Sequence, residues 1–196
     1  TKAKKKEIDD SIATAKSRNA GKMPLKIMIG HSLDRTLRHF EMMKKMERFV
    51  DENIILSLVL VGDGEYKKNI VEYAKKTWKN KLEIIDNSMS YSEYVQYIYS
   101  VDIAIMASEK QTGLGNLNLL MYMGKKIFVA PNGPLRFCMI FENIESHTID
   151  EIDQMSFEEF VKPTEDLCDE YRYGSSMLDE RNKLIAWENT LRELEG

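Results

Sequence analysis

The sequence contains few of the features that mark secreted, membrane-spanning or nucleic-acid-binding proteins. It has two cysteines, Cys138 and Cys168, without CxxC or metal-ligand spacing, which favours reduced structural thiols over a disulfide framework or a zinc site. The longest apolar run, residues 54–61, is too short to cross a bilayer. No charged segment leads into an apolar stretch, which predicts a cytoplasmic protein. The net charge of −4 argues against nucleic acid as a partner.

The start of the chain differs from the rest in composition. Residues 1–22 are polar, show no strand periodicity and predict a linker or loose helix, as though more chain preceded them. Four lysines, Lys2, Lys4, Lys5 and Lys6, make its tip basic. A solvated linker end is the ordinary interpretation of such a tip, and peripheral contact with an anionic membrane surface is the alternative.

From residue 23 to residue 150, short apolar runs alternate with helix-like segments. Strands are predicted at residues 25–29, 54–61, 82–85, 103–106 and 127–130, with a weak sixth at 148–149. Helices are predicted at residues 33–50, 66–78, 90–98, 115–123 and 134–141, the third opened by a capping box of Ser90 and Glu93. This alternation predicts an α/β fold, a doubly wound parallel Rossmann-like sheet with strand one central.

After residue 150 the strand-like runs stop. Residues 151–196 predict a C-terminal helical extension of the α/β domain. Ser156 and Glu159 form a second capping box, which opens a short helix that Pro163 ends. A long helix is predicted over residues 177–194, with its apolar residues on one side.

The ends of the predicted strands suggest where a ligand binds, because open parallel sheets bind ligands beyond the carboxyl ends of their strands. These ends carry Gly30-His31-Ser32, Gly62-Asp63-Gly64 and the stretch at residues 111–116. The last, Gln-Thr-Gly-Leu-Gly-Asn, follows a strand and opens a helix, where glycines admit a ligand and free amides attract an anion. A diphosphate suits that geometry, although such glycines also occur where a turn is merely tight.

Other nucleotide motifs and metal sites are missing from these loops. No Gly-Lys-Ser/Thr follows the glycines, so the stretch is not a nucleoside-triphosphate loop. Strand one ends without the further glycines of a dinucleotide fingerprint, which disfavours a nicotinamide or flavin enzyme. Histidines, cysteines and carboxylates show no ligand spacing, so we expect neither a protein-bound metal nor a cofactor.

Several motifs in a fixed order resemble a known family. They are Gly62-Asp63-Gly64-Glu65-Tyr66, Met89 with Glu93-Tyr94, Asp102-Ile103-Ala104-Ile105, the stretch at residues 111–116, and Tyr122-Met123-Gly124-Lys125-Lys126. Together they resemble the lipid-linked 4-acetamidofucosyl transferases, also known as 4-alpha-L-fucosyltransferases, from about residue 25 to residue 150. These enzymes are GT-B glycosyltransferases, in which two Rossmann-like domains face each other across a cleft.

The resemblance implies that this chain is the C-terminal, donor-binding domain, without the N-terminal domain that binds the acceptor. The donor would be a dTDP-linked deoxyamino sugar, and the acceptor a lipid-linked saccharide at the cytoplasmic face of the membrane. Residues that would bind the donor nucleotide-sugar are Gly30, His31, Ser32, Gly62, Lys110, Gln111, Gly113, Gly115 and Asn116. The catalytic base is left unassigned, because in such enzymes it usually comes from the acceptor domain.

Three positions depart from the family pattern. His31 replaces an asparagine, Lys110 replaces an arginine, and Glu109 replaces a basic residue, which reverses a charge beside the predicted diphosphate site. The helix after Gly115 also lacks the glutamate that many GT-B enzymes place on the donor ribose. The identity of the donor is therefore left open, whereas binding of phosphate by backbone amides would survive these changes.

Two alternatives to the enzyme remain open at this point. Glu109 would favour a non-catalytic nucleotide-sugar-binding module, if its charge has cost the protein its activity. A regulatory α/β domain of the flavodoxin-like type would act through protein contacts. A response-regulator receiver, however, needs an acidic pair after strand one, where this chain has Gly30-His31-Ser32.

Overall fold

The structure is a computed structural model that describes residues 24–164. Its strands are β1 (Leu25–Ile29), β2 (Ile54–Val59), β3 (Leu82–Ile85), β4 (Ile103–Met106), β5 (Lys126–Val129) and β6 (His147–Thr148). Its helices are α1 (His39–Met46), α2 (Glu65–Trp78), α3 (Tyr91–Ser100), α4 (Leu114–Tyr122), α5 (Pro134–Phe141) and α6 (Phe157–Val161). The predicted linker at residues 1–22, the long helix at 177–194 and Cys168 lie outside the described residues.

All six strands form one parallel sheet in the order β3-β2-β1-β4-β5-β6. The prediction of a doubly wound parallel sheet with a central first strand is confirmed. The chain proceeds from β1 to β3 on one side and then crosses to β4 on the other, so the strand order reverses between β1 and β4. A flavodoxin-like domain has the order 2-1-3-4-5. The flavodoxin-like alternative is therefore wrong for this fold.

Both faces of the sheet are covered, which explains why the strands are apolar without alternation. Ile27, Met28 and Ile29 are fully buried, with Ile27 and Ile29 in one core and Met28 in the other. Residues from α1, α2 and α6 pack in the first core, and residues from α3, α4 and α5 pack in the second. The two cores hold the strand ends in fixed positions at the carboxyl edge of the sheet.

Local signals place most helix ends correctly. Both predicted capping boxes, Ser90 with Glu93 and Ser156 with Glu159, form reciprocal hydrogen bonds at the starts of α3 and α6. The strands match the prediction within one or two residues, with β2 ending at Val59 and β5 beginning at Lys126.

The first predicted helix, residues 33–50, is wrong at its start, since α1 begins at His39. The Asp34 side chain accepts a hydrogen bond from the Thr36 amide at 2.8 Å, which favours a short 3-10 turn over Arg35–Leu37. Arg38 then adopts a left-handed conformation, with φ of 54°. The helix-like spacing of apolar residues in this region therefore extends over a loop. That loop lies at the carboxyl edge of the sheet.

Candidate functional site

Loops that follow the central strands lie side by side at the carboxyl edge. The β1 loop (residues 30–38) and the β2 loop (residues 60–64) are neighbours. A Cβ added to Gly62 in the β2 loop would lie 3.4 Å from Leu33 Cδ2 in the β1 loop. On its other side the β1 loop meets the β4 loop (residues 107–113), where the Ser108 and Thr36 hydroxyl oxygens are 3.1 Å apart. Most of the predicted site residues thus lie around the point between β1 and β4 where the strand order reverses, and Gly62 lies in the β2 loop on the other side of β1.

His31 and Gly113 form the contact between the β1 and β4 loops. A Cβ at Gly113 would lie 2.5 Å from His31 Cε1, and the φ of Gly113 is +76°, so both space and backbone conformation require glycine there. His31 Nε2 lies 3.4 Å from the Thr112 hydroxyl. Nδ1 is buried and has no hydrogen-bond partner within residues 24–164. Burial lowers the pKa of His31, so the imidazole is neutral near pH 7.

The N-terminus of α4 is open towards solvent. Gly113 occupies the N-cap position and provides no side-chain cap, and the first helical hydrogen bond runs from the Leu117 amide to the Gly113 carbonyl at 2.9 Å. The amides of residues 114–116 therefore have no partner within the helix. Apart from its chain neighbours and the backbone of its own helix, no atom of the described residues lies within 4 Å of a Cβ placed on Gly115. Free amides, a helix dipole and open space are the elements that bind phosphate groups.

Other residues predicted to bind the donor have different environments. The Asn116 side-chain oxygen accepts a hydrogen bond from the Tyr94 hydroxyl at 2.9 Å, so this side chain is directed at α3. Burial raises the pKa of Tyr94 to about 12, which keeps that hydroxyl protonated. Gln111 is exposed and Ser32 is half-buried. Asn116 can therefore offer its backbone amide to a phosphate while its side chain fixes the helix.

Position 30 must be glycine because a buried histidine, His39, lies against it. From the sequence alone, His39 has no predicted role. The φ of Gly30 is +68°, and a Cβ there would lie 2.8 Å from His39 Nε2. His39 is fully buried, and its Nδ1 lies 3.3 Å from the Tyr66 hydroxyl. Burial lowers the pKa of His39 to about 4. The apolar stripe alone could not reveal it, since His39 lies between the stripe positions of the predicted helix.

One cation, Arg38, lies beside the β4 loop, and another, Lys110, lies within it; of the two, only Lys110 was predicted from the sequence. The Arg38 guanidinium donates to Glu41 at 2.7 Å and 2.5 Å and lies 3.8 Å from the Glu109 carboxylate. Lys110 is exposed, and its amide donates to the Ser108 hydroxyl at 3.1 Å. The Thr36 amide lowers the pKa of Asp34, and the charge of Lys110 lowers it further.

A family model for the 4-alpha-L-fucosyltransferases, glycosyl transferase group 56, matches residues 5–171 of the 196. The chain belongs to the 4-alpha-L-fucosyltransferase family. The match covers the whole sheet, the β1 and β4 loops and α6. The resemblance inferred from the ordered motifs is confirmed.

Several solved structures share the fold of this fucosyltransferase family member. It is similar to an α,α-trehalose-phosphate synthase (UDP-forming) from Burkholderia xenovorans, with a TM-score of 0.60 and 13% identity over 96% of this chain and 50% of that one. A second such synthase, from Burkholderia vietnamiensis, gives a TM-score of 0.60 at 9% identity, over 95% of this chain and 50% of that one. A C-terminal domain of a glycosyl transferase group 1 family protein from Francisella tularensis gives a TM-score of 0.53 at 14% identity, over 88% and 83%.

At these identities the likeness concerns the fold, which is that of a Rossmann-like GT-B glycosyltransferase domain. The chain spans about half the length of the two synthases. In this part of the family fold, residues 24–164, no helix has the length and apolar composition of a membrane span. The same residues contain no group of three His, Cys, Asp or Glu side chains placed to hold a metal ion.

Proposed function

We propose that this chain is the donor-binding half of a two-domain glycosyltransferase. It would bind a nucleotide diphosphate linked to a fucose-like deoxyamino sugar, which is transferred to a lipid-linked saccharide at the cytoplasmic face of a membrane. The observation that carries the proposal is the open N-terminus of α4, which lies beside the β1 loop at the reversal of strand order. Family membership supports sugar transfer as the reaction.

The chemistry proposed for this half is stabilisation of the leaving nucleotide diphosphate. As the bond between the sugar and the diphosphate breaks, negative charge grows on the phosphate oxygens, and fixed amide donors favour that charge. The free amides of residues 114–116 would act in this way, with the exposed Lys110 adding positive charge. Neither a metal nor a cofactor is part of the proposal. The acceptor and the catalytic base would be supplied by a second domain.

The lengths of the similar structures support the assignment to one half of an enzyme. This chain covers 83% of a protein described as a glycosyltransferase C-terminal domain but 50% of a trehalose-phosphate synthase. We therefore expect little or no transferase activity from the chain alone. Robust transfer of sugar from a nucleotide-sugar to a lipid-linked saccharide by the purified chain would contradict the two-domain assignment.

Titration calorimetry against a panel of nucleotides tests the donor site directly. We expect the chain to bind dTDP, and to bind a dTDP-linked deoxyamino sugar more tightly than UDP-glucose or GDP-fucose. The nucleoside monophosphate is the matched control, since it lacks the second phosphate. Equal affinity for dTDP and dTMP would count against a diphosphate site at α4, and no binding of any nucleotide would remove the proposal.

The non-catalytic alternative depended on Glu109 as an isolated charge beside the phosphates. In the structure this carboxylate lies 3.8 Å from the Arg38 guanidinium, so its charge is partly offset within the site. The pair provides a physical reason why a carboxylate is tolerated there. No feature of the described residues specifically favours a binding module without activity.

A further inference from the structure

The side chain of Asn116 has only one of its two polar ends bound to the rest of the fold. Its carbonyl oxygen, Oδ1, accepts a hydrogen bond from the Tyr94 hydroxyl at 2.9 Å. The amide nitrogen at the other end, Nδ2, has no hydrogen-bond partner within residues 24–164, and it does not belong to the buried unpartnered atoms of those residues. This NH2 group therefore reaches the protein surface with both protons free.

Tyr94 determines which end of the Asn116 side chain is left free. Its ring packs against the second core, which holds the hydroxyl beside α4. Burial raises the pKa of Tyr94 to about 12, so the hydroxyl keeps its proton and can donate it. An asparagine side chain has an acceptor oxygen at one end and a hydrogen-bond-donating NH2 at the other. Because the oxygen is turned to the Tyr94 hydroxyl, the NH2 is the end that remains for other groups.

The free NH2 belongs to the same helical turn as the unpartnered backbone amides at the start of α4. Asn116 is the third residue of α4, and its own backbone amide is one of those without a partner in the helix. An asparagine side chain is short, so its NH2 lies close to that amide. The residue thus offers N–H groups from both backbone and side chain, while its side-chain oxygen is already used. This set of groups suits phosphate oxygens, which only accept hydrogen bonds.

We propose that Tyr94 is a positioning residue of the nucleotide-diphosphate site, because it turns Asn116 so that the NH2 and not the carbonyl oxygen faces the phosphates. The inference rests on the proposed function, which places a diphosphate at the start of α4. It adds a residue of α3 that acts on the ligand only through Asn116. Without the Tyr94 hydroxyl, Asn116 could turn its oxygen to the phosphates and repel them.

Tyr97, in the next turn of α3, shows what a tyrosine with a structural role does in the same helix. Its hydroxyl lies 2.9 Å from the hydroxyl oxygen of Ser57 in β2, and both residues are buried. The rings of Tyr94 and Tyr97 have their centroids 6.1 Å apart. The two hydroxyls nevertheless bind different elements, since Tyr97 joins α3 to the sheet and Tyr94 joins α3 to the start of α4.

Calorimetry with dTDP on the full chain tests the inference through Tyr94→Phe, which removes only the hydroxyl. We expect the affinity to fall about two- to tenfold, the effect of one net hydrogen bond. Asn116→Ala removes the NH2 itself and should weaken binding about 10- to 100-fold, because a hydrogen bond to a charged group is stronger. Tyr97→Phe is the matched control: it removes a hydroxyl from the same helix and should lower stability without changing the affinity for dTDP.

The double variant Tyr94→Phe/Asn116→Ala shows whether Tyr94 acts through Asn116. We expect it to bind dTDP as Asn116→Ala does, since the hydroxyl then has no side chain to turn. Two losses that multiply would overturn the positioning role, because Tyr94 would then act by another route. An unchanged affinity in Tyr94→Phe would also overturn it, as would an equal loss of affinity in Tyr97→Phe.

NMR of the Asn116 side chain provides a signal that a merely structural hydrogen bond would not change. Saturating dTDP should shift at least one of its two NH2 proton signals, which are assigned by their absence from Asn116→Ala, and thymidine, without phosphates, should not. Side-chain signals that stay in place while the backbone amide signals of residues 114–116 move would overturn this inference and leave the diphosphate site standing. A wild-type chain that binds no dTDP would instead remove the proposed function, and this inference with it.

Discussion

The β1 loop and the N-terminus of α4 face each other at the same crevice but are built differently. The β1 loop is packed, with His31 against Gly113, an arginine held by two carboxylates, and the fully buried His39 directly after it. The start of α4 is open, with unpartnered amides and free space around Gly115. Packing on one side fixes the geometry, and the open side keeps amides without a helical partner. Gly113 and Gly115, which look alike in sequence, therefore differ in role: Gly113 is required by close packing, and Gly115 lies in open space.

The largest expected effect is on stability at Gly113. Gly113→Ala should lower the free energy of unfolding by about 2–5 kcal/mol, since a left-handed backbone costs an alanine about 1–2 kcal/mol and an added methyl in packed surroundings costs about 1–3 kcal/mol. Gly115→Ala is the control and should raise stability by about 0.5–1 kcal/mol, because it lies in a helix with open space. Urea denaturation measures both. A similar loss of unfolding free energy in both variants would contradict the difference between the packed and the open region.

The packed side should also make stability depend on pH. His39 has a pKa of about 4 in the folded state against 6.5 when unfolded, so the unfolded chain binds more protons between these values. Stability should therefore fall as pH is lowered from about 6.5 to about 4, by up to about 3 kcal/mol from this residue. The difference in pH dependence between the wild type and His39→Gln isolates the contribution. An NMR titration that gives His39 an ordinary pKa would disprove it.

On the open side, Gly115→Asp should weaken dTDP binding by about two orders of magnitude or more. The new carboxylate would occupy the place of the diphosphate, and loss of two charge-assisted hydrogen bonds costs about 1.5–3 kcal/mol each. The fold should survive, because nothing lies within 4 Å of the added Cβ. Calorimetry and melting curves measure the two properties. Gly115→Asn, of the same shape without the charge, should lose less affinity; unchanged affinity in a folded Gly115→Asp chain would remove the site.

The smallest effects are expected from the exposed charges at the border between the two regions. Lys110→Ala should weaken dTDP binding by about two- to fivefold, since an exposed ion contributes at most about 1 kcal/mol. Glu109→Gln should strengthen binding by a similar factor, because it frees Arg38 from one carboxylate. Both shifts should shrink at high salt. Changes of dTDP affinity in opposite directions for the two variants would support the difference between the packed and the open region. Changes in the same direction would show that neither charge faces the ligand.

Much of this fold could be predicted because its signals are local. The apolar runs of β1, β3 and β4 are bounded by turn residues, and Ser90 and Ser156 each have their capping glutamate three residues later. The β1 loop could not be predicted in the same way. Its apolar residues keep a helical spacing. The helix is interrupted by the hydrogen bond of the Asp34 side chain and by the left-handed Arg38, and neither is visible in the apolar spacing.

The candidate site was predictable as a position and not as a set of contacts. The glycines at residues 113 and 115 could be placed at a strand-to-helix turn from sequence alone. Which of them faces a histidine and which faces open space depends on the β1 loop, far away in the chain. The pairing of Arg38 with Glu109 likewise joins two loops that meet only when β1 and β4 are neighbours.

The position of β4 beside β1 also has a consequence for the order of folding. Ile27 pairs with Leu56 on one side and with Ile103 on the other, and the second pair encloses far more chain than any other paired strands among residues 24–164. Long loops close late, because their closure costs more entropy before contacts repay it. The crevice between β1 and β4 is therefore expected to be completed near the end of folding. A nascent chain released before β4 could hold three paired strands and still lack this crevice.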